Sequence, residues 1–464
     1  VTNLPIHLPF RVVPTTPVGT SDVEASDALL DAVGDRVRFV HDAGKSGQWY
    51  GFIPYLGHWR PLSDGEMIAV ARAIGKTSSR TAKSAITMAT GEPRFHASLH
   101  DLDTQPWLFN VRNGTLNLAP PGGLVEYEPG VFHEVPPDWA WEFKPHDPAD
   151  LLTQVAGCSF DDDATCPRWD SFLERVQPDP EVRAFLQRLI GYALVGNQTE
   201  AVFPVLYGKG ANGKSTFVDI LAELFGSYSC VAEKSLFKAV RNDGHPADRA
   251  VLINKRLARS EELPDVELDE PKIKGLTGGD KISGRGMREN FREWAPTHTF
   301  LVHSNTKPRL SGTDDGIWRR VILVPFNVRI STEEADPYLK PKLLAELSGI
   351  LNWALRGYEA YCERGLAVPE VLRAAVAEYR AESDTVSAFV SRYEPDPGGT
   401  AFGVVQDHKD YALENGLDHS EAAKNYKAVC AALSDMGGKT KAVWNPVLGK
   451  SQRAWVGIRP VERG

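Results

Sequence analysis

Gly208-Lys209-Gly210-Ala211-Asn212-Gly213-Lys214-Ser215 decides how this chain is read. The eight residues fit G-x-x-x-x-G-K-[ST], a loop whose backbone N–H groups wrap a polyphosphate. The flanks supply the context that the motif demands. Ala201 to Tyr207 is apolar and bounded like a buried strand, and Thr216 to Gly226 carries apolar residues at helical spacing before a closing glycine. Strand, glycine-rich loop and helix together aim the positive end of a helix at phosphates. In that arrangement Gly208 through Thr216 cradle a nucleoside triphosphate, Lys214 reaches its β- and γ-phosphates, and the Ser215 hydroxyl sits on a magnesium ion. The expected ligands are ATP and Mg2+.

The 464 residues exceed one ordinary core, so two to four domains are expected. A hydrophobic content of 42% with 24% charged residues belongs to a soluble globular protein. There is no apolar run of membrane-spanning length and no signal peptide, and the five scattered cysteines lack C-x-x-C spacing. A reducing cytosol is expected. The net charge of −9 means that any nucleic-acid contact must come from local basic patches. Because the chain starts at Val1 rather than Met, it is expected to be part of something longer.

Upstream of the loop, residues 1–150 are expected to form a mixed α+β domain. Asp22 to Val33 has the pattern of a helix and Arg36 to Val40 that of a strand. Short strands follow at Trp49–Phe52 and His58–Arg60, then a helix from Ser63 to Ile74 capped by Ser63 with Glu66 three residues on. Leu108 to Leu118 reads as a hairpin turning on Asn113-Gly114. Prolines and the acidic run Asp161-Asp162-Asp163 mark a boundary. Two helices, one from Pro167 and one over Glu181 to Leu194, then lead into the phosphate-loop strand.

Downstream, a helix over Ala247 to Ile253 precedes Arg256 to Glu262, a strand ending in paired acids. A nucleotide-hydrolysing site needs a carboxylate near the metal and another to polarise water. Glu261 is the leading candidate for both the metal and the water, with Glu262 alongside. Lys281, Arg285 and Arg288 concentrate basic charge in a glycine-broken hairpin that could follow a phosphate backbone. His298 to Asn305 is a further strand, and Asn305 at its end is placed to orient water or sense the γ-phosphate. Arg319 and Arg320 come directly before the strand Val321 to Phe326.

Taken together, these stretches resemble the superfamily 3 helicases of the AAA+ class, more narrowly the helicase part of phage and plasmid primase proteins related to the poxvirus primase–helicase. The resemblance rests on the phosphate loop, Ser260-Glu261-Glu262, Leu276-Thr277-Gly278-Gly279-Asp280, Ser304-Asn305 and Gly312 through Arg320. It extends more loosely to Phe109 through Leu116, Cys166 to Trp169 and Gly349 through Gly357. It implies a multidomain α/β protein with a phosphate-loop ATPase core on a central parallel sheet. The domains would be 1–150, the core 151–335 with leading helices 167–195, a helical extension 336–395 and a small winged-helix-like DNA-binding domain 396–464. Residues 401–464 hold nine Lys and Arg against seven Asp and Glu, which suits that last role.

The resemblance also implies a ring, usually a hexamer, with ATP between subunits and single-stranded DNA in the pore. Asn305 becomes the polar sensor, Lys281 and Arg285 fall on the pore hairpin, and Arg320, with Arg319 second, matches the arginine finger of the next subunit. The acidic motif departs from the family's Asp-Asp or Asp-Glu, which leaves open which glutamate polarises water. The implied function is ATP-driven helicase action on single-stranded and forked DNA in the cytoplasm of a bacterial host, with a primase domain or protein as partner. Two rival readings are a small-molecule kinase, which leaves the sensor and the arginine pair unexplained, and an initiator or scaffold that uses ATP only to assemble.

Overall fold

The phosphate-loop strand begins with two features in tension, an apolar run and a proline. In the computed structural model it spans Phe203–Tyr207 (β1) and lies inside a five-stranded parallel sheet with Ser229–Ala232 (β2), Leu257–Ser260 (β3), Thr299–Ser304 (β6) and Val321–Pro325 (β7), in the order β2-β3-β6-β1-β7. A central proline forfeits a ladder bond. Here the register with β6 starts only at Val205, paired with Val302, so Pro204 falls before that ladder begins. The short strands Ile282–Gly284 (β4) and Arg292–Trp294 (β5) form a separate antiparallel hairpin. The structure describes residues 21–43, 47–75, 78–119, 124–128, 131–134, 141–238, 246–260, 263, 268–286, 291–310, 315–383, 389–390, 392–396, 405–414, 419–436, 438–445 and 450–461. The chain divides into two compact units, residues 1–308 with 319–373 and residues 309–318 with 374–464.

Helices Pro167–Val176 (α1), Pro180–Leu194 (α2), Lys214–Phe225 (α3) and Leu347–Arg364 (α5) share one core with the sheet, and Glu270–Thr277 (α4) leads into the hairpin. Their apolar faces meet in Trp169, Phe217, Leu186, Leu221, Ile350 and Leu355, all buried. Asp179 caps α2 by accepting from Glu181 N at 2.8 Å. The helical extension expected over 336–395 opens with two helices, Leu339–Leu344 and α5, broken at 345–346. The break has a cause. Glu346 turns its carboxylate onto the start of α1, accepting from Arg168 N and Trp169 N at 3.1 Å each. The helix expected over Ala247 to Ile253 is confined to Pro246–Ala250.

The N-terminal part of the same unit has a mixed four-stranded sheet, ordered His58–Pro61, Gln48–Ile53, Val37–Val40, His96–Ala97, with its last pairing parallel. The helix Asp64–Gly75 starts as its sequence suggested, with Ser63 and Glu66 exchanging backbone bonds. The hairpin at 108–117 corrects the expectation. Val111 pairs with Gly114, so the two loop residues are Arg112 and Asn113, and the glycine already belongs to the returning strand. A Cβ on Gly114 would lie 2.6 Å from Lys144 O, so the glycine serves the close approach of the next strand rather than the turn. Asn113 instead bonds Phe160 in both directions at 2.8 Å.

Buried polar contacts tie this region to the core around the parallel sheet. Tyr228 accepts from Asn110 N at 3.0 Å, and Arg256, 4% exposed, reaches Leu108 O at 3.3 Å with its guanidinium over the Tyr228 ring. Burial raises the Tyr228 phenol and lowers the Arg256 guanidinium from their ordinary ranges.

In the second unit the helices Val405–Glu414 and His419–Asp435 precede the paired strands Lys439–Asn445 and Lys450–Pro460. A third strand, Tyr393–Asp396, joins the edge. Its proline hides it in a sequence reading and is tolerated there because an edge strand leaves one side of its backbone unpaired. Phe389, Tyr411, Leu433 and Trp455 fill this small core.

Candidate functional site

The sheet is parallel, so all five strands deliver their carboxyl ends to one edge, where ligands of open α/β sheets bind. At that edge β1 runs into Gly208. Two glycines are required by the loop that follows. Gly208 has φ 152° and its Cβ would lie 2.3 Å from Phe326 O, while Gly213 has φ 85° and its Cβ would lie 2.5 Å from Val176. Hydrogen bonds hold the loop from several sides: Asn212 Nδ2 donates to Phe326 O at 2.9 Å, Ile330 N to Ala211 O at 2.7 Å and Gly208 N to Ser304 O at 3.3 Å.

Lys214, only 3% exposed, donates to Gly208 O at 2.5 Å and to Asn212 Oδ1 at 3.0 Å. A buried ammonium requires compensation. The loop's own oxygens supply it here, and anionic phosphate oxygens would supply it better. Ser215 and Ala211 are exposed at the mouth, and α3 starts at Lys214, so its first-turn N–H groups face the same space. The residues present therefore fit a polyphosphate with a metal on Ser215.

Beside this cradle opens a cavity of about 670 Å³ lined by Ala211, Gly213 and Thr216 of the loop and by Phe172, Arg175, Ile330 and Leu339. Its rim carries the Arg175–Glu334 ion pair at 2.9 Å. The mixture of apolar walls and polar rim suits the base and sugar of a nucleotide. Sequence reasoning missed Phe172, Arg175, Ile330 and Leu339, because they come from segments far apart in the chain and carry no local pattern.

The other sequence-derived residues divide by place. Asn305 is exposed and directly follows β6, on the same edge as the phosphate loop. Glu261 and Glu262 follow Ser260, the last residue of β3, but lie outside the described residues, as does Arg288. Arg319 and Arg320 sit at the opposite edge. Arg320 O accepts from Phe203 N at 2.6 Å, at the start of β1, and β7 begins one residue later. Five strand residues at roughly 3.3 Å each separate that edge from the phosphate loop of the same chain, about 17 Å. Arg319 is exposed and Arg320 half-buried.

Lys281 and Arg285 are exposed at the two ends of β4. Arg285 lies over the ring of Phe291 at 4.6 Å, and Phe291 is 58% exposed. Phe291 was missed by the sequence reading, although aromatic residues interleaved with Arg288 and Arg292 were a usable signal. Among the described residues no cluster of three His, Cys, Asp or Glu is placed to hold a metal, and no helix is long and apolar enough to cross a membrane.

Residues 26–178 match the family described as D5 N terminal like, and residues 206–320 match a family of unknown function, DUF5906. The chain is 26% identical over 365 residues to L207/L206 of Acanthamoeba polyphaga mimivirus, a protein named as a helicase, covering 71% of this chain and 35% of that one. It is 26% identical over 171 residues to the primase D5 of fowlpox virus, covering 35% of this chain and 21% of that one. The chain thus spans about a third or less of the length of these relatives. Among solved structures, the C-terminal region of NrS-1 in its apo form aligns over 95% of this chain and 100% of that one, with a TM-score of 0.52 and 13% identity. That likeness concerns the fold alone. The phosphate-loop sheet, the preceding D5-like region and the viral relatives agree that this chain is a primase–helicase-related protein.

Proposed function

We propose that the chain is an ATP-driven DNA helicase of the superfamily 3 type, serving replication as a ring with nucleotide between subunits. One observation carries this reading: the arginine pair and the phosphate loop occupy opposite edges of one sheet. A guanidinium at the far edge cannot reach its own chain's γ-phosphate, but it can meet that of a neighbour in a closed head-to-tail assembly.

In this reading the bound triphosphate lies along Gly208–Thr216, with Lys214 leaving Gly208 O and Asn212 for phosphate oxygens. Its base enters the cavity beside Phe172 and Ile330. Ser215 and Glu261 would hold Mg2+, which would supply positive charge to offset that of the phosphates. Glu261 or Glu262 polarises the attacking water, Asn305 orients it, and Arg320 or the more exposed Arg319 of the next subunit stabilises the leaving charge. The hairpin offers Lys281, Arg285 and Arg288 to the backbone of single-stranded DNA and Phe291 to its bases. The winged-helix-like reading of residues 396–464, with DNA as its ligand, belongs to the same proposal.

A forked-duplex unwinding assay combined with particle sizing tests it. Wild type should form rings and separate strands only with ATP, Lys214→Ala should do neither reaction, and the Lys281→Ala, Arg285→Ala double variant should lose strand separation more than ATP turnover. Rings that assemble with ATP and never unwind would instead identify a scaffold, and a DNA-indifferent monomer would end the motor reading.

A further inference from the structure

A second cavity, of about 440 Å³, lies at the root of the hairpin, where the N-terminal region meets the core. Its walls come from the loop around His100 to Pro106, from Gly196 to Gln198, from Ile253 and Asn254, and from Lys281 with Arg292 to Thr297. Asn254 and Thr297 precede β3 and β6, so this cavity belongs to the edge opposite the phosphate loop and is separate from the nucleotide cradle.

Its lining sets two cations, Lys281 and Arg292, beside two carboxylates, Asp103 and Glu293. Asn197 and Thr104 are exposed polar groups. Arg292 Nε and Trp294 Nε1 are buried donors that meet no acceptor among the described residues. A buried donor left without an acceptor costs free energy, and both belong to side chains that line the cavity. The facing carboxylate is already engaged: Asp103 accepts from Thr153 N at 2.7 Å, from the Thr153 hydroxyl and from Asn254 Nδ2 at 2.7 Å. Glu293 is exposed. The Trp294 ring adds a flat apolar surface, and the volume falls within the usual range for a small-ligand pocket, about 300–1,000 Å³.

We propose that this cavity binds a phosphorylated nucleoside, most simply one nucleotide of the single strand that the hairpin engages, with its phosphate on Lys281 and Arg292 and its base against Trp294. The proposal rests on the reading of the chain as a DNA motor. It makes the N-terminal region part of the strand's path, sharing Lys281 with a neighbouring cavity of about 400 Å³ lined by Arg249 and Lys272 together with Asp248 and Asp280.

The test uses the full chain and two probes, a (dT)20 oligonucleotide carrying 4-thiothymidine and free 4-thio-dTTP. Crosslinking of wild type followed by peptide mapping should label residues 292–297 or 99–106. Labelling by the oligonucleotide assigns the strand as the source, and labelling by the free triphosphate alone assigns a free nucleotide. In fluorescence anisotropy, Asn197→Asp, an isosteric change that adds a negative charge, should weaken binding of the labelling probe about five- to tenfold. Arg292→Gln should weaken it similarly, and when the probe is the oligonucleotide should lower the salt slope by about one. Both comparisons are made at unchanged melting temperature. If wild type unwinds DNA yet crosslinks avoid the cavity and Asn197→Asp binds like wild type, the cavity assignment is overturned alone. If wild type binds neither probe, the motor reading falls with it.

Discussion

At His298 a titratable ring is held where protonation is costly. It is 1% exposed and stands edge-on to Phe300 with ring centroids 4.6 Å apart, and burial outweighs the opposing pull of the Leu276 backbone on its protonation. Burial lowers its pKa to about 3. The unfolded chain, with an ordinary histidine, binds a proton below pH ~6.5 while the folded chain does not. The neutral imidazole thus gives its full stability above that pH. Stability falls by roughly 1.4 kcal/mol per unit as pH drops toward 3. Denaturant unfolding between pH 7 and pH 5, above the range where ordinary carboxylates titrate, should show this slope in wild type and a markedly smaller one in His298→Phe. Equal slopes would remove His298 as its source.

At the scale of elements, α2 and α5 approach each other through glycines. A Cβ on Gly191 would lie 2.1 Å from Tyr358 N, and one on Gly357 would lie 2.1 Å from Gln187 O. Neither can gain a methyl without the helices parting. Gly357→Ala is therefore expected to destabilise the core by about 1–3 kcal/mol despite alanine's better helix propensity, the scale of an overpacked core. A melting temperature equal to or above that of wild type would contradict the contact. The elements themselves were largely legible in the sequence, because the phosphate loop, the capped helix at Ser63 and the apolar strands carry local patterns. The Asn113-Gly114 hairpin misled by one residue, since the demand for glycine came from Lys144, a neighbour distant in sequence. Glu346 likewise broke a helix to cap another, which no local propensity announces. The same distinction governs the site. The proposed places of Lys214 and Ser215 follow from one loop's pattern, whereas those proposed for Phe172, Ile330 and Trp294 depend on separate segments that converge.

For the whole molecule, the account requires that one triphosphate be served by two copies of the chain. The sheet sets the terms, since its parallel strands place the cradle at one edge and Arg319 and Arg320 at the other. The N-terminal region packs on this core through hydrogen bonds from Asn110 N to the Tyr228 hydroxyl and from Arg256 to Leu108 O. The most direct measurement mixes two inactive variants. Lys214→Ala and the Arg319→Ala, Arg320→Ala double variant should each lose ATP turnover by about 10³-fold or more when assayed alone. Mixed in equal amounts before assembly, they should recover about a quarter of the wild-type rate, because head-to-tail contacts of that fraction pair an intact cradle with an intact arginine. No recovery on mixing, or a double arginine variant that hydrolyses ATP at the wild-type rate, would contradict the account.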